Sequence, residues 1–253
     1  MSGTVGESRG RGVRIPNWLI GVVLLFVLMT GFLMHSVWLG LWGLTNDLEG
    51  LSGFYSAAMP VVTFIMFAHM ITGAALSIMA PLQLVTPIRR NWPGLHRWMG
   101  RVMVGLGLFT GFGGLLYAVR HGTTGGAFMD WSTSVYGILM LWAAVQTYRL
   151  GRAKKWAQHR RWGWRFSVLV IASWLYRMHY VVWDWLTGGL WTTPDMTGPF
   201  DKFQAWAFYL SYAAMLELWF LWDDHRRKSA RRPVVRVPAL SPRPEAPDPA
   251  TPA

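Results

Sequence analysis

The hydrophobic pattern of this chain has neither the period of two expected of a half-buried strand nor the short runs of a soluble core. Apolar residues instead run on in six long stretches, roughly Trp18 to Leu41, Met59 to Val85, Trp98 to Val119, Trp131 to Leu150, Trp162 to Trp185 and Phe203 to Trp222. A helix needs about 20 mostly apolar residues to cross the hydrocarbon of a bilayer. Each stretch meets that length and lacks the alternation of a barrel strand. The pattern predicts an all-α fold, a six-span transmembrane helical bundle. The first stretch follows Arg9, Arg11 and Arg14, as a signal peptide would. Its apolar run is long for one and no small-residue cleavage site follows, so it reads as a retained span.

Composition agrees with a lipid surrounding. Charged residues make up 14% of the 253, against about 25% in an ordinary soluble domain. Seventeen Trp and thirteen Phe add the aromatic residues that gather at membrane interfaces. The chain has no cysteine, which excludes disulfides, thiolate metal sites and a Cys nucleophile.

The charge sets the orientation. With the N-terminus in the cytoplasm, the inner segments are the N-terminal tail, Arg89 to Arg101, Arg149 to Arg165 and everything after Trp222. They hold 3, 4, 7 and 7 basic residues, or 21 of the 24. Only Arg120 and Lys202 fall outside, and Arg177 lies within a span, while Asp47, Glu49, Asp130, Asp195 and Asp201 fall on the outer side. Both termini are therefore expected in the cytoplasm of a bacterial cell, with the protein in its inner membrane. Residues 1–16 read as an N-terminal tail, 17–225 as the membrane domain and 226–253 as a disordered basic, Pro-rich tail. The net charge of +12 is explained by orientation and by anionic lipid at the cytoplasmic face. No nucleic-acid partner is expected.

Two inner stretches echo each other. Gln83 precedes His96 by thirteen residues, and Gln146 precedes His159 by thirteen. Trp98-x-x-Arg101 answers Trp162-x-x-Arg165, so spans 2–3 and 4–5 read as a parallel repeat of two hairpins. Trp and Arg at a span entrance are explained by the headgroup region alone, with the guanidinium snorkelling. The functional alternative is that Arg97, Arg101, Arg161 and Arg165 hold an anionic group, a lipid phosphate or a haem propionate.

Histidines supply the chemical candidates. His69 lies about 15 Å inside span 2 and His179 about 9 Å from the outer end of span 5, at 1.5 Å per residue. Two histidines at similar depth on different spans suit axial ligation of haem b. Hydrogen bonds to neighbouring helices are the simpler account of both, and a proton relay or quinone site is a third reading. His96 and His159, at the inner boundary, are a second pair. Arg177, Tyr180 and Asp184 share a face of span 5, which suggests an Arg177–Asp184 contact through Tyr180. Glu217 near the inner end of span 6 is expected to pair with Arg101 or Arg165. Gly107 and Gly111 form a GxxxG that favours close helix contact.

The stretches Ala68-His69, Pro81-Leu82-Gln83-Leu84, Leu95-His96-Arg97-Trp98-Met99-Gly100-Arg101 and His159-Arg160-Arg161-Trp162-x-x-Arg165 resemble an uncharacterised family of bacterial membrane proteins, domain of unknown function 2306, over roughly Val61 to Tyr180. That resemblance implies a multi-spanning membrane protein and no particular activity. A looser likeness is to two-haem b-type cytochromes of the ascorbate-reducible class, which also have six spans with histidines in the central four. Span 4 here has no histidine, so the likeness implies at most one haem. Two functions follow as expectations: a b-haem electron-transfer protein with His69 and His179 as ligands, or a non-redox accessory subunit or small-molecule transporter that contacts other membrane subunits. No enzyme class follows.

Overall fold

A computed structural model describes residues 16–46 and 53–230. The tail expected over 1–16 lies outside them except for Pro16, as does the tail beyond Ala230. The described residues form seven helices and no strand: α1 (Asn17–Thr45), α2 (Pro60–Leu84), α3 (Thr86–Asn91), α4 (Pro93–Arg120), α5 (Gly126–Arg152), α6 (Trp156–Thr187) and α7 (Pro199–Ala230). All six apolar stretches fall on helices, and the short α3 is additional. α7 continues past residue 225 to Ala230, so helix occupies the start of the segment expected to be disordered.

Proline sets several of these boundaries. Pro60, Pro93 and Pro199 begin α2, α4 and α7, where a missing N–H costs nothing. α2 and α3 are parted by extended Val85, and α3 and α4 by Trp92 just before Pro93. Gly188, with φ +66°, takes the left-handed position that closes α6.

Four helices, α1, α2, α4 and α6, are long and apolar enough to cross a membrane. The shortest, α2, has 25 residues and is about 38 Å long at 1.5 Å each, enough for a hydrocarbon core about 30 Å thick. α5 and α7 are as long but carry more polar groups, including Asp130, Gln146, Asp201 and Gln204.

The chain divides into two compact units, Met1–Leu216 and Glu217–Ala253. In the first, α2 packs against α1, α4 and α6, while α5 packs between α4 and α6. Its core joins Leu76 and Ala80 of α2, Met103 of α4, Met140, Ala143 and Ala144 of α5, Phe166 and Leu169 of α6, and Phe208 and Tyr209 of α7. Small residues let the helices approach, as lipid-embedded packing requires. A Cβ on Gly111 would stand 3.0 Å from Leu141, and one on Gly137 would stand 3.3 Å from the Gly111 carbonyl. Gly107 accommodates the Phe166 ring, so the GxxxG serves both α5 and α6. α1 is peripheral. Val27 and Met34 are 64% and 67% exposed, while Met29, Ser36, Gly40 and Gly43 are buried, the two glycines against Phe67 and Ile71.

The second unit is described through its first fourteen residues, the last turns of α7. Arg227 donates to Asp223 at 2.8 Å, and Arg226 lies 4.6 Å over the Trp222 ring. Glu217, expected to neutralise Arg101 or Arg165, opens this unit.

Candidate functional site

The two echoed stretches meet at one cavity. Its volume is about 770 Å³, within the usual range for a small-ligand site, and it lies at the basic end of the first unit. α2 contributes Gln83 and Leu84, α3 contributes Arg89, α4 contributes His96, Arg97, Gly100, Arg101 and Val104, and α5 contributes Thr147, Gly151 and Arg152. α6 closes it with Trp156, His159, Arg160, Gly163 and Phe166. The walls are mainly apolar and the rim carries five guanidinium groups.

Hydrogen bonds hold the frame. Gln83 donates to the His96 carbonyl at 3.0 Å, tying α2 to the start of α4. His159 Nδ1 meets the Thr147 carbonyl at 2.8 Å, tying α6 to α5. A carbonyl can only accept, so His159 Nδ1 carries a proton and donates it. Gly151 allows this, since a Cβ there would stand 3.0 Å from His159 Nδ1. The repeat is not exact in chemistry: His96 Nδ1 is buried and has no hydrogen-bond partner.

Two of the four expected rim arginines line the cavity, Arg97 and Arg101. Arg161 and Arg165 do not, and Arg160, Arg152 and Arg89 stand there instead. Helix periodicity is the reason. Trp156, Arg160, Gly163 and Ser167 recur at steps of four, three and four along the cavity-facing side of α6. Arg161 and Arg165 share a different face, where Arg165 lies 4.8 Å over the Trp162 ring.

The other histidine pair is built differently. His69 Nδ1 meets the Thr110 carbonyl of α4 at 2.7 Å, beside a 2.8 Å contact between the Thr72 and Thr110 hydroxyls. His179 is closed on both sides: its Nδ1 accepts from Gln204 at 2.7 Å and its Nε2 meets the Tyr212 hydroxyl at 2.7 Å. A ring with both nitrogens engaged does not fit axial ligation of iron, so the expected His69–His179 haem site does not fit these residues. Among the described residues no group of three or more His, Asp and Glu side chains could hold a metal ion.

Arg177 also departs from expectation. Its guanidinium donates to the Ser173 carbonyl at 3.1 Å and lies 5.0 Å over the Phe32 ring. It folds towards the N-terminal end of α6, as helical side chains do, and so away from Asp184. Tyr180 does not bridge them; its hydroxyl donates to Asp201 at 2.8 Å.

Asp201, expected in an outer loop, is fully buried in the first turn of α7. It also accepts from the backbone N–H groups of Thr193 and Gly198, each at 3.0 Å, and so organises the α6–α7 loop. In that loop the hydroxyls of Thr193 and Thr197 hold the Asp195 carboxyl below its usual range. Asp201, Gln204 and Tyr212 lie on one side of α7 at spacings of three and eight. That polar stripe along α7 was the signal for these contacts.

No curated protein and no solved structure matches the chain. A family model, described as "Predicted membrane protein (DUF2306)", matches residues 66–197, from α2 through the α6–α7 loop. With more than half of the chain matched, and several helices long and apolar enough to cross a membrane, this is a multi-pass membrane protein that belongs to that family.

Proposed function

We propose that the chain crosses the bacterial inner membrane six times with both termini in the cytoplasm, and that it binds an amphipathic anion in the cavity at its basic end. The observation that carries this reading is the cavity itself, with apolar walls under a rim of Arg89, Arg97, Arg101, Arg152 and Arg160. An apolar body with one anionic head satisfies both parts. An anionic phospholipid has this form, and the positive-inside pattern puts the rim on the leaflet side that attracts it.

The test is lipid binding by native mass spectrometry of the detergent-purified protein. One phosphatidylglycerol should bind per chain. Each Arg near an anionic lipid contributes about 1 kcal/mol, so Arg97→Gln with Arg152→Gln should weaken binding about thirtyfold. Equal retention of phosphatidylcholine would overturn the reading. Tags on both termini should report the cytoplasm, and an external tag would overturn the topology.

A second reading has its own support. His159 has its Nδ1–H fixed by a carbonyl, as metal-bound imidazoles commonly do, and His96 lines the same cavity. These two residues, with the arginines on the propionates, would hold haem b, which supplies one-electron transfer when bound. A reduced-minus-oxidised α-band lost in both His96→Ala and His159→Ala would make haem the occupant; no band leaves the lipid.

A further inference from the structure

A second cation has no such explanation. Arg177 lies ten residues before the end of α6, about 15 Å along the helix. Its hydrogen bond to Ser173 draws the guanidinium one turn deeper, about 5 Å further from that end. From the other end of α6, Ser173 is seventeen residues in, about 26 Å. The group is therefore held near the middle of a spanning helix and points away from the nearer surface. Phe32, which covers one side of it, is itself central in α1.

Arginine has five N–H donors and a fixed charge. Here one N–H is used, on Ser173, and among the described residues no carboxylate pairs with the charge. Arg177 is nonetheless exposed at the surface of the bundle, and the middle of a spanning helix borders hydrocarbon. An ionised group in a span ordinarily faces a partner or a water-filled path, because lipid satisfies neither its charge nor its donors. The guanidinium also lies within electrostatic reach of His69 on α2, whose Nε2 is left an acceptor by the Thr110 carbonyl.

From this placement we infer that Arg177 anchors a lateral binding site for a membrane-dissolved organic acid. The carboxylate pairs with the guanidinium, supplying the missing charge and acceptors in the fork geometry that arginine favours. The apolar chain stays in the lipid beside α1 and α6. This site is independent of the cavity at the basic end: it lies on other residues, takes its ligand from the hydrocarbon, and is specific for charge at mid-depth.

The experiment uses the full chain in phosphatidylcholine nanodiscs, carrying Arg97→Gln and Arg152→Gln to weaken the cavity, with oleate as the probe. One oleate should bind per chain, and oleyl alcohol should not compete. Arg177→Met should weaken oleate binding about tenfold or more while leaving thermal stability without oleate equal or higher, since an unpaired cation has left the membrane. Phe32→Leu, which keeps the charge, should retain oleate. Absence of oleate binding, unchanged binding in Arg177→Met, or competition by oleyl alcohol would each overturn the inference. If Arg177→Met does not fold, Arg177→Gln is measured in its place: weakened oleate binding supports the inference and unchanged binding overturns it. Failure of phosphatidylglycerol to bind the unmodified cavity leaves this result untouched, so the two proposals fail separately.

Discussion

Two regions of the bundle treat their polar groups in opposite ways. At the basic end, His96, His159 and five arginines surround an apolar space, and the His96 nitrogen has no partner. Towards the other end of α6, His179 is closed on Gln204 and Tyr212, and Tyr180 on Asp201, by hydrogen bonds of 2.7–2.8 Å. Buried polar groups cost free energy unless they are satisfied. A closed network has met that cost within the fold, whereas an open one leaves it for a ligand to meet. On the proposed reading the basic end is the region that binds and the hydrogen bonds by α7 fix helices, although both are rich in the residue types that mark functional sites.

The largest effect expected from this contrast is at Asp201. Its carboxylate accepts from Tyr180 and from the Thr193 and Gly198 N–H groups with no access to solvent. Asp201→Ala leaves three donors unsatisfied, at about 1–3 kcal/mol each, and should destabilise the protein by roughly 3 kcal/mol or more. Asp201→Asn keeps one acceptor oxygen and should lose less. Thermal unfolding in detergent, followed by tryptophan fluorescence, reads both. A near-normal midpoint in Asp201→Ala, with loss of a bound lipid, would reverse the roles assigned to the two regions.

His179→Phe is expected to act less strongly. The ring can keep its stacking on Tyr212, now 5.8 Å between centroids, but both hydrogen bonds are lost. Leaving Gln204 and Tyr212 short of a partner should cost about 1–3 kcal/mol. The optical spectrum of the purified protein should not change. A lost haem band in this variant, with the fold intact, would restore His179 as a ligand and break the distinction between closed and open networks.

The fold was more legible in the sequence than the sites were. Long apolar runs and basic loops report directly on length and charge, and all six runs are helices. α5 and α7 carry enough polar residues to blur that signal, because their polar groups face neighbouring helices: Ser132 donates to the Ala205 carbonyl, and Gln204 donates to the Tyr176 carbonyl at 3.3 Å. The meeting of the two basic stretches was readable from their repeated spacing. Which arginines face inward was not, since Arg160 and Arg161 differ by 100° of rotation that only the packing of α6 fixes. Sequence gives the position of His179 along the helix but not Gln204 and Tyr212 on the helix beside it.

Gly163 offers the gentlest test of whether the cavity is a vacancy for a ligand or a packed part of the fold. It lies within α6 on the cavity wall, and a Cβ built there meets no atom within 4 Å. Glycine in a helix interior is less favourable than leucine by most of the roughly 0.8–1.0 kcal/mol that separates it from alanine. Gly163→Leu should therefore leave stability equal or slightly raised, while its side chain takes space from a ligand's apolar body. Lipid binding should fall even though every guanidinium of the rim is kept, which separates the role of the walls from that of the charge. A drop in thermal stability as large as that of His179→Phe would mean that the space is already filled by the fold, because only a wall with no room behind it resists a side chain that meets nothing on entry.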